Sequence, residues 1–337
     1  DLVYDALRCR RSFAALGGGM TGRGLILGRA RGLGDDVAAL FQGAPHSPVP
    51  PGPDEVGRPP EGWERLDIPD WLGAAFEQSL GDSAAPVLQA LQNRAPVFLR
   101  VNAARLSRDD AIRLLAGQGI VGEPHALAET AIRVTGGTRR IQTSAAYLDG
   151  GVELQDAASQ AVVAQLPLRQ GDRILDLCAG GGGKTLAIAA RLPVAVFAHD
   201  AVPGRMTDLV ARAARAGTAI TLTDRPETTA PYDLVLTDVP CSGSGSWRRD
   251  PEGKWRLTPA RLQDLCSLQA QILDRAAGMV GQGGYLAYVT CSVLRAENDD
   301  QIAALLTRDP RWTVEKRRQF TPLEGGDGFF LAVMRRV

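Results

Sequence analysis

From residue 156 to the C-terminus, apolar runs of strand length alternate with stretches of helical period, a rhythm that few folds accommodate. The pattern predicts a helix over 156–166, a strand over 173–178, a helix over 184–191 and a strand over 194–199. A helix over 203–216, strands over 219–223 and 233–238, a long helix over 259–281 and a strand over 284–290 follow. A helix over 295–307 and strands near 311–316 and 328–334 complete it. No helical pattern separates those last two strands, so they are expected to pair antiparallel at a sheet edge. The whole reads as an α/β fold, a Rossmann-like, mostly parallel sheet with helices on both faces. Such sheets bind ligands at the carboxyl ends of their strands.

Ahead of this region, residues 1–43 read as helical around a Gly17-Gly18-Gly19 cluster. Seven prolines between Pro45 and Pro60 mark 44–62 as a linker or extended strap. A second helical stretch over 69–94 starts at Pro69 and sets Trp71, Leu72, Phe76 and Leu80 on one face. Val97–Val101 reads as a strand. Ser107, with Asp110 three residues on, caps a helix carrying Ile112, Leu114 and Leu115. Strand pieces at Ile120-Val121 and Ala131–Val134 then give a β-α-β-β order, the size of small modules that bind RNA or dock on a larger domain. The expected division is a helical N-terminal region (1–94), a small α+β module (95–150) and the Rossmann-like domain (151–337).

Hydrophobic residues make up 45% of the 337, ample for a core. The chain has no run of eighteen apolar residues and no visible signal peptide, so a cytoplasmic, membrane-free, monomeric protein is expected. It opens at Asp1, without Met, inside a helical pattern, so its natural start is expected to lie elsewhere. Thirty-eight basic residues balance thirty-eight acidic ones. That argues against binding nucleic acid by bulk charge and leaves only local patches. Arg248, Arg249, Lys254 and Arg256 are the candidate patch; Arg139-Arg140 reads as ordinary solvated surface. The five cysteines form no CxxC pair and the three histidines are far apart, so no metal site is expected and the thiols read as reduced.

The segment Ile174-Leu175-Asp176-Leu177-Cys178-Ala179 runs into Gly180-Gly181-Gly182-Gly183-Lys184-Thr185. A phosphate-binding P-loop needs glycine where Cys178 stands. A dinucleotide fingerprint starting at Gly180 needs glycine where Thr185 stands. S-adenosylmethionine has no phosphate and needs only a backbone it can approach closely, so it is the expected cofactor. Asp200, ending the second strand, can accept both ribose hydroxyls, and Asp224, ending the third, an adenine amino group. Asp176 is placed for the ammonium of the methionine moiety. Cys178, Ala179, the four glycines and Lys184 line the turn, and Arg205 and Asp238 complete the expected cofactor set.

Two cysteines follow apolar runs: Cys241 in Asp238-Val239-Pro240-Cys241-Ser242-Gly243, and Cys291 in Thr290-Cys291-Ser292. Carbon 5 of cytosine is a poor nucleophile until a thiolate adds at carbon 6. A base must afterwards remove the carbon 5 proton so that the thiol can leave. Asp238 is placed for the amide edge of such a ring, with Lys184 holding Asp238 or the base carbonyl. Cys9 and Cys266 read as packing, and Cys178 as packing or lining the cofactor turn.

On these residues the chain resembles the RNA cytosine-5 methyltransferase family, the Sun/Fmu group of bacterial 16S rRNA enzymes and their eukaryotic relatives. The likeness covers roughly 95–337. Besides the turn and the Asp238–Gly245 segment, it is carried by Gln155-Asp156 through Gln160, Arg248-Arg249, Pro251, Lys254-Trp255, Thr290–Ser292, Glu297-Asn298 and Gly326–Phe330. The resemblance implies Cys291 as nucleophile and Cys241 in product release, with Asp238 and Lys184 around the target base and Asp200 and Asp224 on the cofactor. It also implies RNA, 16S rRNA above all, as partner, and 95–150 as an RNA-binding module. DNA or small-molecule methylation, and an RNA-binding assembly factor without turnover, stand as alternatives. The family usually has Ala-Pro where this chain has Gly180-Gly181. Asp1 to Arg8 faintly resemble the last helices of a NusB-like RNA-binding domain.

Overall fold

The computed structural model describes residues 2–337, so Asp1 of the NusB-like stretch lies outside the described residues. The chain forms two compact units, one of 1–95 with 246–259 and one of 96–245 with 260–337.

In the first unit, the single helical stretch expected over 1–43 is four helices: Leu2–Arg8, Arg10–Gly17, Gly22–Leu33 and Val37–Leu40. Glycine sets the crossing of the second and third. A Cβ on Gly28 would lie 1.8 Å from the Phe13 carbonyl oxygen, so only glycine lets the two backbones approach this closely. Asp67, fully buried, accepts from the backbone N–H groups of Arg11 (2.8 Å) and Ser12 (2.9 Å), satisfying donors at the helix start. The 69–94 stretch is two helices, Asp70–Leu80 and Ala84–Leu91, parted at Gly81, whose φ is +53°. Leu72 and Phe76 are buried as expected, whereas Trp71 is exposed.

The segment 246–259 folds here too, and it corrects the expected basic patch. Arg248 and Lys254 are buried. Lys254 Nζ donates to the Arg8 carbonyl (2.9 Å), and Arg8 Nε donates to the Arg248 carbonyl (2.8 Å). Burial brings the Lys254 pKa down to about 8. Only Arg249 and Arg256 of that group stay exposed.

The second unit holds eleven strands in two sheets. The smaller comprises β1 (Val97–Val101), β2 (Val121–Pro124), β3 (Ala131–Gly136) and β4 (Val152–Leu154), in the antiparallel order β2-β3-β1-β4. Helix Arg108–Gly117 covers it with Ala111 and Leu115, and the Ser107 hydroxyl accepts from the Asp110 N–H as its cap.

The larger sheet comprises β5 (Arg173–Asp176), β6 (Ala195–Ala198), β7 (Thr221–Leu222), β8 (Tyr232–Asp238), β9 (Val280–Thr290), β10 (Trp312–Phe320) and β11 (Phe329–Arg336). Its order is β10-β11-β9-β8-β5-β6-β7. The five strands from β9 to β7 are parallel, and β11 and β10 add an antiparallel edge as the sequence pattern predicts. Alternate residues feed opposite faces. Ile174, Leu234, Leu236, Ala287 and Val289 pack on Ala161, Val162 and Ile188. Leu175, Val235, Leu286 and Tyr288 pack on Leu273, Ala276 and Ile302. The helix expected over 259–281 stops at Ala277, because Gly278 and Met279 form a turn and Val280 already begins β9. The helix expected from 203 begins as a 3-10 turn, Pro203–Met206, and the one expected from 295 begins as another, Arg295–Glu297.

Strand order reverses between β5 and β8, which opens a crevice at their carboxyl ends. The two sheets are joined by buried polar contacts. Glu153 of β4 accepts from Arg212 (2.9 Å) and Arg215 of helix Thr207–Ala216. Arg100 of β1 donates to the Gly183 carbonyl (2.6 Å). Glu153→Ala strands two guanidiniums that remain partly in water, so a loss of about 2–3 kcal/mol is expected in urea unfolding. An unchanged midpoint would show the contact to be idle.

Candidate active site

The turn after β5 carries the glycines. Gly182 has φ +80°, and a Cβ there would lie 2.1 Å from the Leu209 side chain. Gly180 has φ +50°, with no atom within 4 Å of where a Cβ would project, so its face is open. The Gly180 N–H donates to Asp200 (3.0 Å), and the Val202 N–H donates to the other Asp200 oxygen (2.9 Å). One backbone donor on each oxygen fixes that carboxylate and leaves lone pairs for a ligand's hydroxyls. Open glycine backbone beside a fixed carboxylate fits an uncharged nucleoside end. Asp224 and Arg205 are exposed just beyond β7 and β6. Cys178 is half-buried beside the turn, where burial raises its thiol pKa.

Asp176 ends β5 almost wholly buried. Thr185 Oγ1 donates to Asp176 Oδ2 (2.6 Å), while Oδ1 has no partner among the described residues. Burial pushes this carboxyl from 3.8 to about 6 despite the threonine bond. One carboxylate oxygen of Asp176 is thus turned to Thr185.

Lys184, on the helix following the turn, donates to Asp238 Oδ2 at the end of β8 (2.6 Å). Its Nζ also lies 5.0 Å from the centre of the Phe329 ring. Burial disfavours the ammonium, but the charge and hydrogen bond of Asp238 outweigh it and raise the pKa; the Cys291 thiol is within its electrostatic reach.

Cys241 follows β8 and Cys291 follows β9, and their Sγ atoms are 3.3 Å apart, both unbridged. Fifty residues apart in sequence, the thiols meet because β8 and β9 pair in parallel and end together. Lys184, Asp238, Cys241 and Cys291 thus share one site at the carboxyl ends. A cavity of 560 Å³ lined by Arg100, Leu127, Thr130, Gln160, Ala187 and Arg191 includes neither thiol.

Sequence reasoning assigned no role to the polar floor beneath the thiols. Glu297, fully buried, accepts from the Ser242 N–H (2.7 Å), the Ser242 and Ser292 hydroxyls (2.5 Å each) and Gln269 (3.1 Å). The only sequence signal was Glu297-Asn298 among the segments that carry the resemblance.

Known proteins agree with this architecture. A family model for the 16S rRNA methyltransferase RsmB/F matches residues 163–335, and one for the RsmF/B-like ferredoxin-like domain matches 68–140. The chain belongs to the RsmB/F family. Curated relatives include ribosomal RNA small subunit methyltransferase B of Citrobacter koseri, 34% identical over 78% of this chain and 65% of its own length. The same-named protein of Klebsiella pneumoniae is 34% identical, with the same coverage of both chains. The chain thus spans just under two thirds of these relatives. Among solved structures, PH0851 is similar with a TM-score of 0.76 and 26% identity, covering 84% of this chain and 70% of that one. A methyltransferase homolog from Pyrococcus horikoshii shares the fold at a TM-score of 0.72 and 22% identity, covering 82% and 97%. Among the described residues no group of side chains could hold a metal ion, and no helix is long and apolar enough to cross a membrane.

The raised Asp176 pKa has a sign. The folded protein holds this proton to higher pH than the unfolded chain, so stability falls as pH rises from about 4 to about 6 and the penalty is complete above that. The penalty is on the order of 3 kcal/mol. Asp176→Asn should flatten that part of the stability–pH curve and be the more stable protein at neutral pH. Denaturation at several pH values, with wild type and variant keeping the same slope, would count against it.

Proposed function

We propose that this chain methylates carbon 5 of cytosine in RNA, with 16S rRNA as substrate, through a covalent adduct on Cys291. The observation that carries the reading is the pair of facing thiols beside the Lys184–Asp238 ion pair. The names of the curated relatives support the choice of ribosomal RNA.

S-adenosylmethionine, when bound, supplies an electrophilic methyl group. Asp200 would hold its ribose, the Gly180–Gly183 backbone with Cys178 and Ala179 its body, and Asp224 its adenine. Arg205 and Asp176 would serve its outer and methionine ends. The chain's own part is to prepare the base. The Cys291 thiol gives its proton to a base and its sulfur adds to carbon 6, forming an S–C bond as the carbon 5–carbon 6 π bond opens and its electrons become available at carbon 5. Lys184 places a positive charge within reach of that sulfur and fixes Asp238 toward the amide edge of the ring. Once carbon 5 carries the methyl group, its proton leaves to a base. The S–C6 bond then breaks, its electron pair returns to sulfur and the aromatic ring is restored. Cys241, 3.3 Å from Cys291, is placed to assist this elimination. Carbon 6 of a stacked base is out of reach of a recessed thiol, so the target cytosine must be unpaired or flipped out. The small antiparallel sheet would contact the RNA.

The decisive test is methyl-labelled S-adenosylmethionine with unmodified 16S rRNA, digested to nucleosides for mass spectrometry. Labelled 5-methylcytidine is expected; label on another nucleoside, or none despite bound cofactor, rejects the reading. Denaturing gels test the thiol roles. Cys241→Ala should accumulate a protein–RNA adduct when cofactor is present, and Cys291→Ala should give none. An adduct that survives loss of Cys291 would reverse the two assignments.

A further inference from the structure

The two thiol-bearing loops are held together by a side chain to which the proposed chemistry assigns no task. We propose that Glu297 is the positioning residue of the two-thiol centre, anchoring the Cys241 and Cys291 loops to each other and setting a fixed negative charge beside Cys241. The inference rests on the cytosine methylation reading for its purpose, but its geometry stands by itself.

The hydrogen-bond directions carry the argument. Ser244 Oγ accepts from the Val293 N–H (3.0 Å) and shares a hydrogen bond with Ser292 Oγ (2.8 Å). Ser292 Oγ accepts from the Leu294 N–H (3.0 Å) and sends its proton to Glu297 Oε2 (2.5 Å). Ser242 Oγ accepts from the Ser244 N–H (3.2 Å) and likewise donates to Glu297 Oε2 (2.5 Å). Glu297 Oε1 receives the Ser242 N–H and the Gln269 amide. Two serine hydroxyls, a backbone N–H and a side-chain amide thus converge on Glu297, so both of its oxygens act as acceptors for the two loops. Ser242 and Ser292 each directly follow a reactive cysteine, so one carboxylate fixes both loops where the thiols meet. Tyr288 Oη donates to the Glu297 carbonyl (2.6 Å), which ties the anchor to β9.

The same charge acts on Cys241. The titratable groups facing Cys241 are Cys291, Glu297 and Tyr288; Cys266 faces Glu297, and Lys184 faces Cys291. The hydrogen bond with Cys291, burial and the Glu297 charge together hold Cys241 well above the ordinary thiol pKa. Cys241 thus stays a protonated thiol, suited to handling protons, while its neighbour faces the lysine.

The test uses the full chain with iodoacetamide as probe, reading alkylation of the Cys241 peptide by mass spectrometry across pH. Glu297→Gln keeps the shape and removes the charge. It should move the Cys241 midpoint down by about one pH unit. Turnover should drop by about tenfold or more, with the cofactor KM unchanged. Glu297→Asp, which restores the charge, should bring the midpoint back toward wild type. A Cys241 profile in Glu297→Gln that superimposes on wild type overturns the proposal, whatever the turnover. Alkylation requires neither RNA nor cofactor. A wild-type protein that fails to methylate cytosine would therefore count against the proposed reaction and leave this test standing.

Discussion

Parallel pairing of β5, β6, β8 and β9 is the constraint on which the site depends. Parallel strands that share a register deliver their carboxyl ends to one edge, whatever loops follow. Asp176, Asp238 and Thr290 end three of these strands, and Asp200 lies just past the fourth. The residues that follow stay on that edge, as where the Leu177 N–H donates to the Leu236 carbonyl (2.9 Å) and the Val239 N–H to the Val289 carbonyl (3.0 Å). The chain needs the crossover helices to make this possible, and their burial on both faces keeps the strands from slipping. A one-residue slip of β8 would turn Val235 and Leu236 onto each other's faces and exchange two packed cores.

Onto this apolar frame the chain places ionisable groups that it cannot solvate. Each is handled differently. Lys184 is buried and is held by the charge and hydrogen bond of Asp238, which keeps some water contact. Glu297 has no water contact and is held by neutral donors converging on it. Asp176 has one donor for two oxygens, so its charge is the least supported. Of these groups Asp176 is the carboxyl that burial shifts upward, to about 6. Such uneven support is costly in a stability sense and is concentrated where chemistry is expected.

The larger sheet was legible because its strands are dense in Val, Leu and Ile and its helices begin at capping residues such as Asp156. The overrun of the helix expected to reach residue 281 shows the limit of periodicity. Ala276, Ala277, Met279 and Val280 continue an apolar pattern across a change of element. Glu297 sits in Arg295-Ala296-Glu297-Asn298-Asp299-Asp300, a charged stretch at the start of the helix expected over 295–307. Nothing local says that its carboxylate meets Ser242, 55 residues earlier. Lys254 and Arg248 misled for the same reason: they read as surface charge, but both are buried, where Lys254 Nζ donates to the Arg8 carbonyl and Arg8 Nε to the Arg248 carbonyl from the other end of the chain. Local pattern reports which face of an element is apolar. It does not report which distant carbonyl or hydroxyl will satisfy a buried charge.

The unlike surroundings of the two thiols give the site its direction. Two sulfurs 3.3 Å apart with equal surroundings would compete for the same carbon and the same proton. Here one faces a carboxylate from below and the other an ammonium from the cofactor turn. In the proposed reaction that polarity would divide bond making from proton handling, and it needs both charges to stay fixed. Lys184 is fixed by Asp238 and Phe329, and Glu297 by the serines that follow the thiols themselves. The loops that carry the sulfurs are thus tied to the charge that distinguishes them. A displacement of either thiol would disturb its own electrostatic environment, so position and reactivity cannot be tuned apart.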